Sequence, residues 1–204
     1  MVARSHEKPP KFDPRTDILT IPNVMSLAGA VLAWRGAKRI NTTAGVAQVV
    51  AGRLIDTLDG TVARQTGQTS NFGAIVDAGL DKTTTAKLLY EMWRQDIAPK
   101  EVLGLIAAFN TVNAIAIAST KSAIDIADET VRPDISGKLA LAFETGSLFA
   151  HAISARLEAS GKSNQANLAR NIGNLSFVAA LPLAVKSTSS YIKRACQQSN
   201  QSNQ

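Results

Sequence analysis

Between residues 56 and 81 the chain sets four aspartates at spacings that two helices would gather into one cluster. Asp56, Asp59, Gly60, Ala63 and Arg64 follow one another at three- and four-residue steps or sit side by side. On an α-helix that spacing makes a single stripe. Gly73, Asp77 and Asp81 recur every four residues and form a second stripe. The eight-residue connector QTGQTSNF contains Gly67, Ser70 and Asn71, which suit a turn followed by a helix cap. So short a link makes the two helices antiparallel neighbours, and facing stripes then bring the four carboxylates together. They cannot all stay ionised in a low-dielectric setting without counter-charge. Mg²⁺ or Mn²⁺ meets that need, because both prefer oxygen ligands and commonly bridge carboxylates to phosphates. Gly60, Ala63 and Gly73 withhold side chains where a ligand needs room, and Arg64 offers a planar donor for phosphate oxygens. The spacing thus implies a metal–pyrophosphate site.

The elements that must hold these residues are helical. Alternating Val/Ile/Tyr runs bounded by Asn-Gly turns, the mark of strands, are absent. Residues 1–17 are polar and broken by Pro9, Pro10 and Pro14, which predicts a mobile arm with no cleavable signal sequence. Residues 195–204 read as a disordered polar tail. Residues 18–194 between them form one domain of about six helices. Val102 to Thr120 is the clearest apolar run, 19 residues without a charge, close to the ~20 needed to cross a bilayer core. Asn171 to Val185 is uncharged but shorter and holds Pro182. The runs from Ile18, Ile40, Phe72 and Lys138 are interrupted by proline or charge, with the charges densest on the second and third helices. Ionisable groups inside membrane helices are costly and mark functional sites by default. The expected fold is therefore all-α, a polytopic membrane bundle of about six spans.

Composition agrees with this and excludes other classes. The 204 residues suffice for one compact domain, with 45% apolar, 19% charged and only 5% aromatic. Abundant small residues let helices approach closely in lipid. The net charge of +6 suits an anionic membrane face or anionic substrates. Scattered basic residues with few aromatics among them exclude a nucleic-acid patch. The lone Cys196 excludes an internal disulfide.

The pattern D-x-x-D-G-x-x-A-R, eight residues, then G-x-x-x-D-x-x-x-D resembles the signature of the CDP-alcohol phosphatidyltransferase family, with all eight fixed positions filled. Ile21-Pro22-Asn23 followed by Ser26 is similar to that family's first span, although Gly29 stands where an Arg is usual. Pro133-Asp-Ile-Ser-Gly137-Lys138 resembles the stretch before the fifth span of phosphatidylglycerophosphate synthases, with Asp134 in place of the common Ser.

The resemblance implies transfer of a phosphatidyl group from CDP-diacylglycerol to a small alcohol, with CMP leaving. It implies two Mg²⁺ or Mn²⁺ ions held by Asp56, Asp59, Asp77 and Asp81, with Asp81 also the general base. Gly60, Ala63, Arg64 and Gly73 would contact the donor, and Arg132 and Lys138 a phosphorylated acceptor. Glycerol 3-phosphate is the first expectation for that acceptor, then inositol phosphate, then phosphatidylglycerol in cardiolipin synthesis. Rival readings are a prenyl-transferring membrane enzyme and an inactive lipid-binding protein. Membrane lipids are expected partners, and the layout admits a homodimer. The basic N-terminal arm places the site on the cytoplasmic face of a bacterial membrane. Of the remaining residues, His151 reads as packed, Asn110 and Asn113 as interhelical hydrogen-bonders, Trp34, Tyr90 and Trp93 as interfacial anchors, and the acidic run at 125–129 as a solvated loop.

Overall fold

The computed structural model describes residues 20–68, 71–119 and 135–201. Within them lie six helices and no strand: α1 (Ile21–Ala37), α2 (Thr43–Thr66), α3 (Asn71–Arg94), α4 (Lys100–Ser119), α5 (Ile135–Ala159) and α6 (Ser163–Gln201). The arm at 1–17, Lys121, Arg132, Pro133, Asp134 and the acidic run at 125–129 lie outside the described residues.

Local chemistry sets the helix ends. The Thr20 hydroxyl accepts from the Asn23 N–H at 3.2 Å, and Pro22 sits in the first turn where no N–H is missed. The Thr42 hydroxyl caps α2 by accepting from the Gly45 N–H at 3.0 Å. Helix α2 stops at Gly67, whose φ of 66° is left-handed and whose N–H reaches back to the Ala63 carbonyl. That turn is the one the connector's glycine predicts.

Three bonds show which helix ends lie together. The Ile21 N–H donates to Gln68 Oε1 at 3.1 Å, joining the start of α1 to the α2–α3 turn. This defines the near end of the bundle. At the far end, Gln95 Nε2 donates to the Lys38 carbonyl and Arg156 Nε to Thr43 Oγ1, each at 3.4 Å. Packing is closest between α1 and α2 and between α5 and α6, with α3 against α1 and α4 against α6. Glycines make the α1–α2 contact: a Cβ on Gly52 would fall 2.5 Å from the Gly29 carbonyl oxygen, and one on Gly36 would fall 2.6 Å from that of Gly45. Gly29, where the resemblance leads one to expect Arg, instead allows close backbone-to-backbone packing against Gly52.

The apolar core occupies the far half, built from Ile40, Val49, Leu88, Met92, Ile106, Leu148 and Ala152. The distribution of polarity elsewhere is inverted. Leu27, Leu54, Leu58, Ile115, Leu168, Leu175 and Val178 are each more than half exposed, while Ser26, Asp59, Thr84, Thr85, Glu144, Ser147 and His151 are buried. Among the described residues, one stretch is both long and apolar enough to cross a membrane, Ser163–Gln197 in α6. It contains the shorter run at Asn171–Val185, whereas Val102–Thr120 ends at a residue outside the described set.

Helix α6 spans 39 residues, ~58 Å at 1.5 Å per residue. It continues through residues 195–201, which composition assigns to a disordered tail. The segment Lys193–Gln198 contains no glycine or proline to break the helix.

Candidate active site

Asp56 and Asp59 on α2 and Asp77 on α3 form the centre, with one oxygen from each lying within 4.8 Å of the others. Asp59 is buried, Asp56 and Asp77 half-buried. The Ser26 hydroxyl of α1 donates to Asp59 Oδ2 and also lies 3.0 Å from the Pro22 carbonyl oxygen. Two ionised carboxylates ~5 Å apart repel by about 3 kcal/mol at an effective dielectric near 20. The fold tolerates this arrangement because the near half of the bundle is polar and open rather than packed.

The same region opens into a cleft of ≈ 180 Å³. Its walls include Asp59, Asp77, Gly60, Ala63, Arg64 and Gly73, with Asn23, Ser26 and Gln68 from the neighbouring elements. All four residues expected to meet a donor's phosphates and nucleotide therefore share one cavity with two of the carboxylates. Arg64 is exposed, its Nη2 3.3 Å from Thr61 Oγ1. A built Cβ on Gly60 would meet nothing nearer than Arg64 Nη1, at 3.6 Å, so a side chain there would occupy the cleft itself.

The donor set fits a divalent cation. The oxygens of one Mg²⁺ or Mn²⁺ shell stand ~3–4 Å apart, given metal–oxygen bonds of ~2.1 Å, so Asp56, Asp59 and Asp77 need move little. Asp77 Oδ1 is buried and has no hydrogen-bond partner, an arrangement that a cation would satisfy.

Asp81 stands apart from these three. Its Oδ1 is paired with Arg53 of α2, while Lys82 Nζ lies 3.7 Å from Oδ2. Arg53 also donates to Thr85 Oγ1 at 2.5 Å, so one guanidinium ties together two residues a helical turn apart on α3. Arg53, Thr85 and Gln68 are site-building residues that spacing alone does not reveal. The available signal is a charge, Arg53, three residues before Asp56 within an otherwise apolar run. Lys138 is exposed in the first turn of α5.

The other polar residues behave variously. Trp34 is half-buried and donates to Thr84 Oγ1 at 3.1 Å rather than facing outward, while Tyr90 and Trp93 are exposed. His151 is buried with its ring against Gly173. Asn110 bridges to Glu144.

No solved structure matches this chain. Two curated proteins show partial similarity. A "Probable cardiolipin synthase (CMP-forming)" of Drosophila melanogaster is 30% identical over 96 residues, covering 45% of this chain and 30% of its own length. An "Archaetidylinositol phosphate synthase" of Aeropyrum pernix is 26% identical over 97 residues, covering 48% of each. The aligned stretch therefore spans less than half the length of either relative. A model of the CDP-alcohol phosphatidyltransferase family matches residues 16–185, which includes α1–α5, the whole carboxylate cleft and most of the apolar part of α6. The chain belongs to the CDP-alcohol phosphatidyltransferase family.

Proposed function

We propose that this protein is an integral membrane enzyme that transfers the phosphatidyl group of CDP-diacylglycerol to the hydroxyl of a small alcohol, releasing CMP. The observation that carries the reading is the convergence of Asp56, Asp59 and Asp77 beside Gly60, Ala63, Arg64 and Gly73. In the reaction an acceptor oxygen bonds to the β-phosphorus, the bond from that phosphorus to the bridging oxygen breaks, and CMP carries the bridging oxygen away. Mg²⁺ or Mn²⁺ held by Asp56, Asp59 and Asp77 supplies counter-charge for the pyrophosphate and the leaving phosphate.

The protein's own groups do the positioning. Gly60, Ala63 and Gly73 let the nucleotide lie close to the helix backbones, and Arg64 holds a phosphate oxygen. Asp81, oriented by Arg53, takes the proton from the acceptor hydroxyl. A carboxylate is a weak base at neutral pH, so alignment has to contribute much of the rate. Lys138, at the start of α5, meets the acceptor's phosphate. The apolar outer surface and the long apolar stretch of α6 support membrane residence, with the near end of the bundle at the cytoplasmic face.

The acceptor divides the readings. Glycerol 3-phosphate rests on the resemblance of residues 133–138 to phosphatidylglycerophosphate synthases. Inositol phosphate and phosphatidylglycerol fit at least as well, since the two relatives are named for an inositol phosphate lipid and for cardiolipin. Purified protein given CDP-diacylglycerol and Mg²⁺ or Mn²⁺ should release CMP only with the right acceptor, and chelation should stop it. CMP release undiminished in excess chelator would overturn the metal-dependent reading.

A further inference from the structure

Helices α4 and α5 carry a polar pair that the reaction above leaves unused. Glu144 of α5 is 6% exposed, and its Oε2 accepts from Asn110 Nδ2 of α4 at 3.4 Å, a long and weak bond. The same amide also lies 3.0 Å from the Ile106 carbonyl oxygen. Glu91, the other glutamate buried in the bundle, shows what a structural carboxylate has here. It accepts from Lys87 at 2.7 Å, from Arg94 at 2.8 and 3.0 Å and from Gln95 at 3.2 Å. Glu144 has nothing comparable, and a buried charge left so poorly matched is expensive. One turn further along each helix stand Ser147, fully buried, and Asn113, whose Oγ and Oδ1 are buried without a partner.

The pair also lies at the depth of the chemistry. Glu144 is nine residues from the near end of α5 and Asn110 nine from the near end of α4, ~13 Å along each helix. Asp56 is ten residues from the near end of α2 and Asp81 ten from the near end of α3, ~15 Å. Lys82, next to Asp81, lines one cavity together with Thr85 and Asn110.

We propose that Glu144 and Asn110 form a subsite for the hydroxyl groups of the acceptor that do not react. Hydroxyls both donate and accept, which suits a carboxylate beside an amide, so the ligand class is a polyol. This inference rests on the transferase reading, and it adds the feature that would select among acceptors.

The test uses the full chain in detergent with CDP-diacylglycerol and Mg²⁺, measuring CMP release against acceptor concentration. Glycerol 3-phosphate and inositol 1-phosphate would be compared with 3-hydroxypropyl phosphate, which lacks the secondary hydroxyl, and with ethanolamine. Glu144→Gln keeps the size and an amide–amide bond, and it should raise the polyol KM about tenfold or more. The KM for CDP-diacylglycerol and the melting temperature should stay nearly unchanged. The wild type's preference for a polyol over 3-hydroxypropyl phosphate should shrink in Glu144→Gln and in Asn110→Ala. An unchanged acceptor KM and preference, with or without a lower melting temperature, would make the pair structural and overturn the proposal. A wild type that prefers ethanolamine would overturn the polyol assignment. If the wild type released no CMP with any acceptor, the transferase reading itself would fall.

Discussion

At the scale of single residues, the centre is strained by its own charges, and this leads to an expectation about stability as well as rate. Replacing Asp56, Asp59 or Asp77 with Ala should cut CMP release by far more than tenfold, the equivalent of ~1.4 kcal/mol of barrier. In chelator the same variants should melt higher than the wild type, because one carboxylate no longer repels two others. Activity assays and thermal unfolding in detergent check the two halves separately. A variant that keeps more than a tenth of the activity is not a ligand.

Arg53 gives a second expectation. Its guanidinium spans Asp81 and Thr85 at once, which a lysine ammonium does poorly. Arg53→Lys should therefore lower turnover about tenfold while CDP-lipid KM changes little, and Arg53→Leu should lower it further. A turnover equal to wild type in Arg53→Lys would remove the positioning role. The eight motif positions were readable because helix periodicity is local. The pairing of Arg53 with Asp81 was not readable, because it depends on the register between two helices, which no short-range pattern encodes.

At the scale of elements, the two ends of the bundle divide the labour. Apolar residues of α3, α4 and α5 lock the far half, so the near half can keep half-buried polar groups instead of a tight core. The α1–α2 seam holds Ser26 against Asp59, and glycines set its closeness. Gly52→Val would push its side chain into the Gly29 carbonyl and Ala33, at a cost of roughly 1–3 kcal/mol. A lower melting temperature with a reduced affinity for Mg²⁺ is expected, since Ser26 would move away from Asp59. An unchanged melting temperature would mean the seam relaxes freely. Composition foretold close helix packing in general, and the antiparallel α2–α3 pair followed from its short connector. The α1–α2 seam did not, because the seven-residue spacing of Gly29/Gly36 and of Gly45/Gly52 marks one face of each helix without saying which helix that face meets. The helical course of residues 195–201 was missed for a different reason: polar content says little about helix formation when no breaker intervenes.

At the scale of the whole molecule, the inverted distribution of polarity predicts behaviour in the cell. With large apolar side chains outward and Ser, Thr, Glu and His inward, the protein should sediment with membranes and resist alkaline carbonate, leaving only in detergent. Release by carbonate alone would argue against spanning helices. The length of α6 has a practical consequence for sidedness. From Ser163 at the far end to Cys196 is 33 residues of continuous helix, ~50 Å, well beyond the ~30 Å hydrocarbon thickness. Cys196 is exposed and is the chain's one thiol, so a membrane-spanning α6 would carry a built-in topological tag at the near end of the bundle. A membrane-impermeant maleimide should label intact cells poorly and inverted vesicles well if the cleft faces the cytoplasm. The opposite pattern would place the near end of the bundle on the outer face.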